Sequence, residues 1–226
     1  MAILKEVLDQ MQLLIFDLDG TLVDSETDLA LSVNATLQKM GQKPLSTERI
    51  ASYVGRGVAV LVSRALGPGA APEEVEQGTE LFLEHYRQHM LDHTIPYPGV
   101  REALENLRSR KMAVLTNKPV KFSQMMLAGL GLAEYFSHIY GGNSFENKKP
   151  DPVGIFQLMS DTQVPASQTL MIGDSISDVL AGRNAGVWTC GVSYGFGAPT
   201  LEEAPPDLMI GDLRELPTLL NGKSSS

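Results

Sequence analysis

Short apolar segments alternate with helical patterns along most of this chain, and that alternation limits the possible folds more than any other feature. Leu13–Phe16 is apolar at every position, as a strand buried on both faces of a sheet should be. Later strands are predicted at 112–115, 138–140, 170–172, 187–190 and 207–210. Because helical patterns separate them, they are expected to pair in parallel through right-handed crossovers. The sequence therefore predicts an α/β fold with a doubly wound, Rossmann-like core.

One long stretch of the chain carries helical patterns only. Residues 28–40 have apolar side chains at helical spacing, which is typical of an amphipathic helix. Pro72 is followed by two glutamates, a combination typical of a helix N-terminus. We therefore expect a helical insert over 24–95, placed within an α/β catalytic core that is formed by 1–23 and 96–226.

The charge and composition of the 226-residue chain exclude several functional classes. Lys and Arg number 18 and Asp and Glu number 27, giving a net charge of −9, so we expect no nucleic-acid partner. The longest apolar run has five residues, whereas a membrane-spanning helix needs about 20. Cys190 is the only cysteine, which excludes a four-cysteine zinc site. With no secretory-signal pattern, we expect a cytoplasmic monomer or homodimer without a membrane partner.

Polar residues follow the predicted strands, at the sheet edge where ligands of open α/β folds bind. They are Asp17, Asp19, Thr116, Asn117, Lys149, Asp174 and Asp178. Carboxylates that meet at one point repel unless a cation lies between them, and their oxygens suit Mg²⁺. The pattern predicts a carboxylate–Mg²⁺ site for phosphoryl transfer. In such a site one carboxylate can attack phosphorus while another transfers protons.

These residues occur in four motifs that resemble those of the haloacid dehalogenase superfamily. The first motif is DLDGTLVDS from Asp17, the second Thr116-Asn117, the third Lys149-Pro150, and the fourth GDS with Asp178. The helical insert is similar to the α-helical cap domain of that superfamily. The TNKP segment and the glycine pair before NKKP resemble the phosphoglycolate phosphatase-like subgroup, although Asn143 stands where that subgroup often has an acidic residue.

The resemblance implies a role for each residue of the motifs. It makes Asp17 the nucleophile and a metal ligand, and Asp19 the general acid and base, whose backbone carbonyl also binds Mg²⁺. The other implied roles are phosphoryl binding by Thr116 and the amide of Asn117, charge compensation by Lys149, metal ligation by Asp174 and support of the metal by Asp178. Dehalogenases of the superfamily lack an aspartate at the position of Asp19, so its presence favours phosphate chemistry.

Arg56 is a candidate substrate-binding residue in the helical insert. It lies between Gly55 and Gly57, and glycines let a backbone approach a ligand closely. Caps of the family place such a loop over the active site, where the guanidinium could pair with a substrate carboxylate. The alternative is an exposed arginine in a turn. The insert is expected to open and close by flexing near 22–25 and 95–99.

The resulting interpretation is a Mg²⁺-dependent phosphomonoester hydrolase that acts through an aspartyl-phosphate on a small phosphorylated metabolite, with 2-phosphoglycolate as the leading candidate. Three alternatives remain open at the level of sequence. One is a phosphomutase similar to β-phosphoglucomutase, which returns the phosphoryl group to a sugar. Another is a phosphatase for a different small ester, or a pyrophosphatase. The third is a non-catalytic module that binds phosphate.

Overall fold

The computed structural model describes residues 7–221 and contains the predicted parallel sheet. Its strands are β1 (Leu13–Phe16), β2 (Val23–Asp24), β3 (Ile95–Pro96), β4 (Lys111–Leu115), β5 (His138–Tyr140), β6 (Thr169–Gly173), β7 (Trp188–Val192) and β8 (Leu208–Ile210). The main sheet has the order β5-β4-β1-β6-β7-β8 and is parallel throughout. The α/β prediction is confirmed, while residues 1–6 and 222–226 of the expected core lie outside the described residues.

Strand β1 lies at the centre of the sheet and is fully buried. It pairs with β4 on one side and β6 on the other. Leu14 and Phe16 pack into a core on one face, and Leu13 and Ile15 pack into a second core on the opposite face. Successive side chains of a strand point to opposite faces, so an all-apolar strand needs helices on both sides, as the doubly wound fold provides.

The helices fall into an inserted group and a sheet-packing group. The insert contains α1 (Glu26–Lys39), α2 (Thr47–Ala51), α3 (Val58–Leu66) and α4 (Pro72–His89), and the core contains α5 (Val100–Asn106), α6 (Val120–Gly129), α7 (Val153–Thr162), α8 (Ile176–Ala185) and α9 (Glu215–Asn221). After helix α5 the chain tightens to i→i+3 hydrogen bonds as it turns into β4. Within residues 7–221, no helix is long and apolar enough to cross a membrane.

A two-stranded ribbon joins the helical insert to the core. Val23 of β2 pairs with Pro96 of β3, and Asp24 pairs with Ile95, in antiparallel register. Strands this short have no detectable sequence period, so the sequence predicted only that the chain flexes in these two places. The ribbon gives the insert two adjacent connections to the core.

Asp28 ties the start of α1 to the chain that returns from the insert. Its carboxylate is almost fully buried and accepts hydrogen bonds from the backbone amides of His93 and Thr94, at 3.0 and 2.8 Å. The Thr94 hydroxyl and the His93 ring bind the same carboxylate, at 2.7 and 2.8 Å. Since His93 and Thr94 immediately precede β3, these bonds fix the two ends of the insert against each other.

Candidate active site

The turn after β1 brings Asp17 beside the turn after β6. The Asp17 amide donates to the carbonyl of Ile172 at 2.9 Å, which continues the pairing between the two strands. Gly20 then reverses the chain with φ +83°, and a Cβ atom there would lie 2.2 Å from Oδ2 of Asp174. Only glycine combines that backbone conformation with so close an approach. The DLDG segment therefore places the two aspartates together by its backbone geometry.

Three buried carboxylates converge at this edge of the sheet. Asp17, Asp174 and Asp178 each offer an oxygen, and these atoms all lie within 4.8 Å of one another. Asp174 is held by the Gly197 amide, which donates to its Oδ2 at 2.7 Å, and by the Thr21 hydroxyl at 3.4 Å. The predicted meeting of acidic side chains from the first and fourth motifs is present.

Lys149 is the lysine of the NKKP segment that enters this cluster. Its ammonium lies 3.0 Å from Oδ1 of Asp17 and 2.6 Å from Oδ1 of Asp178, and donates to the carbonyl of Leu115 at 2.7 Å. Lys149 is buried, whereas Lys148 is exposed. The other oxygen of Asp178 accepts from the amide and hydroxyl of Ser175 at the start of α8, so Asp178 also caps a helix.

The pKa values reflect the burial of the carboxyl groups and, to a smaller extent, their mutual repulsion. Burial raises the pKa of Asp17 to about 6, with Asp178 adding to the rise and Lys149 opposing it. Burial also raises the pKa of Asp174 well above its ordinary value, and the carboxylates of Asp178 and Asp17 raise it further. One lysine does not neutralise three carboxylates. An all-oxygen group of this kind fits a hard divalent cation such as Mg²⁺, which Asp17, Asp174 and Asp178 are placed to hold.

Asp19 lies outside this carboxylate group and has different partners. Its Oδ1 accepts from the Ser25 hydroxyl at 2.6 Å, and both of its oxygens lie 3.0 Å from the ammonium of Lys118. The same ammonium donates to the hydroxyl of Tyr86 at 2.7 Å. Sequence reasoning did not assign a role to Lys118 or Tyr86. Lys118 could have been found from its place directly after Thr116-Asn117, but Tyr86 belongs to α4 and carries no local signal.

Thr116 and Asn117 are buried at the end of β4, where the sequence placed them. The side-chain amide of Asn117 donates to the carbonyls of Gly55 and Lys149, at 2.8 and 2.9 Å. Because Gly55 belongs to the loop between α2 and α3, this side chain connects the core to the insert. Asn117 Oδ1 is buried and has no hydrogen-bond partner among residues 7–221.

A cavity of about 50 Å³ lies between this sheet edge and the helical insert. Asp17, Asp19, Asp174 and Thr116 line its core side, and apolar residues that include Val54, Val58, Leu61 and Phe82 line the insert side. Polar groups thus gather at one end of an otherwise apolar pocket, which is typical of a small-molecule site.

The loop that carries Arg56 does reach the cavity, but the arginine side chain does not line it. Gly55 and Gly57 line the cavity, while Arg56 is exposed. Gly57 has φ +87°, and a Cβ atom there would lie 2.9 Å from the ammonium of Lys148 and 3.3 Å from the carbonyl oxygen of Asn117. The predicted close approach of the loop is therefore present, and contact between Arg56 and a substrate stays a prediction.

Comparison with known proteins agrees with this geometry. The family model described as haloacid dehalogenase-like hydrolase matches residues 14–192. The chain is 45% identical to a phosphoglycolate phosphatase of Pseudomonas fluorescens Pf0-1 over 215 residues, which are 91% of this chain and 78% of that protein. It is 42% identical to a phosphoglycolate phosphatase of Vibrio parahaemolyticus, covering 91% and 94% of the two chains.

A solved structure of a similar protein has the same fold as this chain. The crystal structure of a predicted phosphoglycolate phosphatase from Haemophilus somnus 129PT superposes with a TM-score of 0.86 at 32% identity, covering 92% of this chain and 96% of that one. The resemblance inferred from the four motifs is confirmed. With a matching family model, relatives above 40% identity and the convergent aspartates of the motifs, the chain belongs to the haloacid dehalogenase-like hydrolases.

Proposed function

We propose that the protein is a Mg²⁺-dependent phosphatase that transfers the phosphoryl group of a small ester to Asp17 and then to water, with 2-phosphoglycolate as its substrate. One observation carries the proposal. Asp17 lies buried in a group of three carboxylates, on the wall of a small cavity that also contains Asp19. The phosphoglycolate phosphatases named above, at 45% and 42% identity, support the choice of substrate.

Asp17 is the proposed nucleophile. Its Oδ1 accepts from the Leu18 amide at 2.7 Å and lies 3.0 Å from Lys149, which leaves Oδ2 to attack phosphorus. A bond from Asp17 to phosphorus forms as the bond from phosphorus to the alcohol oxygen breaks, and Asp19 gives that oxygen a proton. A water then attacks the aspartyl-phosphate after losing a proton to Asp19, which releases phosphate and restores Asp17.

The remaining residues of the motifs bind and position. A Mg²⁺ held by Asp17, Asp174 and Asp178, with the carbonyl of Asp19, would neutralise charge on the phosphoryl oxygens. Lys149 fixes Asp17 and Asp178 and compensates their charge. Thr116 and the backbone amide of Asn117 are proposed to bind phosphoryl oxygens.

The size of the cavity favours a small leaving group. A two-carbon ester needs less opening of this cavity of about 50 Å³ than a hexose phosphate does. This favours the phosphatase over the phosphomutase similar to β-phosphoglucomutase. We further propose that residues 24–95 act as a cap domain on the core of 1–23 and 96–226, opening at the β2–β3 ribbon to exchange substrate and product.

The test measures phosphate release, and identifies any sugar phosphate product, from 2-phosphoglycolate, glucose 1-phosphate, pyrophosphate and p-nitrophenyl phosphate, with Mg²⁺ and with EDTA. The proposal expects turnover that needs Mg²⁺, with kcat/KM highest for 2-phosphoglycolate. The matched variant Asp17→Asn should fold, by circular dichroism, and lose turnover. An active and well-folded Asp17→Asn protein would contradict covalent catalysis, isomerised sugar phosphate would indicate the phosphomutase, and no turnover of any ester would indicate a phosphate-binding module.

A further inference from the structure

We infer that Lys118 and Tyr86 together bind the carboxylate of the substrate, so that the site selects phosphate esters of 2-hydroxy acids. This inference rests on the proposed function, because it concerns the part of the substrate that becomes the leaving alcohol. It assigns substrate selection to a lysine of the core and a tyrosine of the insert, rather than to Arg56.

Lys118 is a buried cation that lines the cavity together with both acidic and apolar residues. Its side chain is 5% exposed, and it is the only lysine or arginine among the described residues that line the cavity. The apolar lining of the same cavity includes Val58, Leu61 and Phe82. A charged group on a substrate loses its hydration in such a pocket and needs a direct partner, and Lys118 is positioned to provide it.

The Tyr86 hydroxyl supplies the free donor of the pair. The three N–H donors of an ammonium group meet three described acceptor oxygens at Lys118, which are both oxygens of Asp19 and the Tyr86 hydroxyl. A substrate carboxylate would therefore take the place of one of the two bonds from Lys118 to Asp19. Because Tyr86 accepts from Lys118, its own O–H remains available to donate. Burial, with Asp19 and Asp28 nearby, raises the pKa of Tyr86, so the hydroxyl keeps its proton. Two donors 2.7 Å apart can each bond one oxygen of a carboxylate.

The position of Lys118 selects where that carboxylate must be. Asp19 is the proposed proton donor to the leaving oxygen, and the ammonium lies 3.0 Å from both Asp19 oxygens. The leaving oxygen and the substrate carboxylate must therefore be close neighbours. A carboxylate attached to the carbon that bears the leaving oxygen meets this requirement, whereas a longer alcohol directs its far end toward the apolar wall.

The position of Tyr86 is fixed by aromatic packing. Its ring stacks on Phe82 with the ring centres 5.2 Å apart, and lies 5.8 Å from the ring of Phe122. The Lys118 ammonium also lies 4.5 Å from the centre of the Tyr86 ring, within the range of a cation–π contact. Since Tyr86 belongs to α4, the proposed carboxylate site is complete only when the insert lies over the core.

The experiment compares two substrates that differ in the carboxylate. We would measure kcat/KM for 2-phosphoglycolate and for ethyl phosphate in wild type, Lys118→Met, Lys118→Arg, Tyr86→Phe and Arg56→Ala. Loss of a charge-assisted hydrogen bond should lower the ratio of the two values about 10- to 100-fold in Lys118→Met. Tyr86→Phe should lower the ratio less, by about 5-fold, and Lys118→Arg should restore part of it because the charge is kept.

A role for Lys118 only in positioning Asp19 gives a different result. It would lower kcat/KM for both substrates equally and leave the ratio unchanged, which would overturn the inference. A ratio that falls in Arg56→Ala and not in Lys118→Met would overturn it in favour of Arg56. Wild type that does not prefer 2-phosphoglycolate to ethyl phosphate would instead refute the proposed substrate.

A binding measurement covers the case in which Lys118→Met is inactive. In the Asp17→Asn background, calorimetry with Mg²⁺ should give a Kd for 2-phosphoglycolate that Lys118→Met raises about 10- to 100-fold. The Kd of ethyl phosphate should change less than about 3-fold, because this ligand has no carboxylate for Lys118 to bind. Equal changes for both ligands would overturn the inference, and a thermal melt of each variant identifies any that fails to fold.

Discussion

Divalent metal should stabilise this protein strongly at neutral pH, because the carboxylate cluster is destabilising without it. Burial raises the pKa of Asp17 from 3.8 to about 6, which corresponds to about 3 kcal/mol against the folded state when the carboxyl is ionised. For a chain of this length that equals about 6–12 °C in melting temperature. Mg²⁺ at 100 times its Kd would contribute about 2.7 kcal/mol, which is of similar size.

The pH dependence of this effect has a definite sign. The unfolded chain loses the Asp17 proton near pH 3.8, and the folded protein holds it to about pH 6. The contribution of this group to folding stability therefore falls as pH rises between these values, and the penalty is complete above about pH 6. Mg²⁺ should accordingly raise the melting temperature more at about pH 7.5 than at about pH 5.

The assay is thermal unfolding by circular dichroism in EDTA and in saturating MgCl₂ at both pH values. Asp174→Asn removes an ionisable, buried carboxyl group from the cluster, so its EDTA form should be more stable than wild type at about pH 7.5 and its response to Mg²⁺ smaller. Glu76→Gln, an exposed site on α4, removes a carboxyl group elsewhere and should behave as wild type. A wild-type melting temperature that Mg²⁺ does not change at neutral pH would refute the reasoning, as would an undiminished response in Asp174→Asn.

Three further substitutions test single contacts. Gly20→Ala should lower the unfolding free energy by about 1–3 kcal/mol and weaken Mg²⁺ binding, because the added methyl group would enter the space of Asp174. Thermal melts with and without Mg²⁺ measure both effects, and an unchanged Mg²⁺ affinity would contradict this. Asp178→Asn should lower kcat at least about 10-fold, since Lys149 loses a charged partner, and a kcat equal to wild type across a Mg²⁺ titration would be inconsistent with that role. Asp28→Asn should lower the urea-derived unfolding free energy by about 1–3 kcal/mol, and no change would show that its bonds to the end of the insert contribute little.

The parallel sheet and most of the candidate site at its edge were predictable because their signals are local. Leu13–Phe16 is apolar at all four positions, and the polar residues follow directly where that strand and its neighbours end. The ends of parallel strands share one sheet edge, so residues as distant in sequence as Asp17 and Asp174 could be placed together. The choice of Lys149 over Lys148 followed the motif position, and the structure places Lys149 beside Asp17.

The contributions of the insert were much less predictable. The β2–β3 ribbon consists of two-residue strands, which leave no period to detect. Tyr86 reads as an ordinary apolar-face residue of α4, and only the packing of the insert over the core brings its hydroxyl to Lys118. Arg56 looked like a substrate ligand because glycines flank it, yet a loop's backbone approach does not determine where its side chain lies.

Detection of the covalent intermediate tests the central claim most directly. The enzyme would be mixed with 2-phosphoglycolate and Mg²⁺, quenched in acid during turnover, reduced with borohydride and mapped by mass spectrometry. The account predicts modification at Asp17 that disappears in Asp17→Asn and when EDTA replaces Mg²⁺. Turnover without any modified aspartate, or with modification at Asp19 or Asp174 instead, would contradict it.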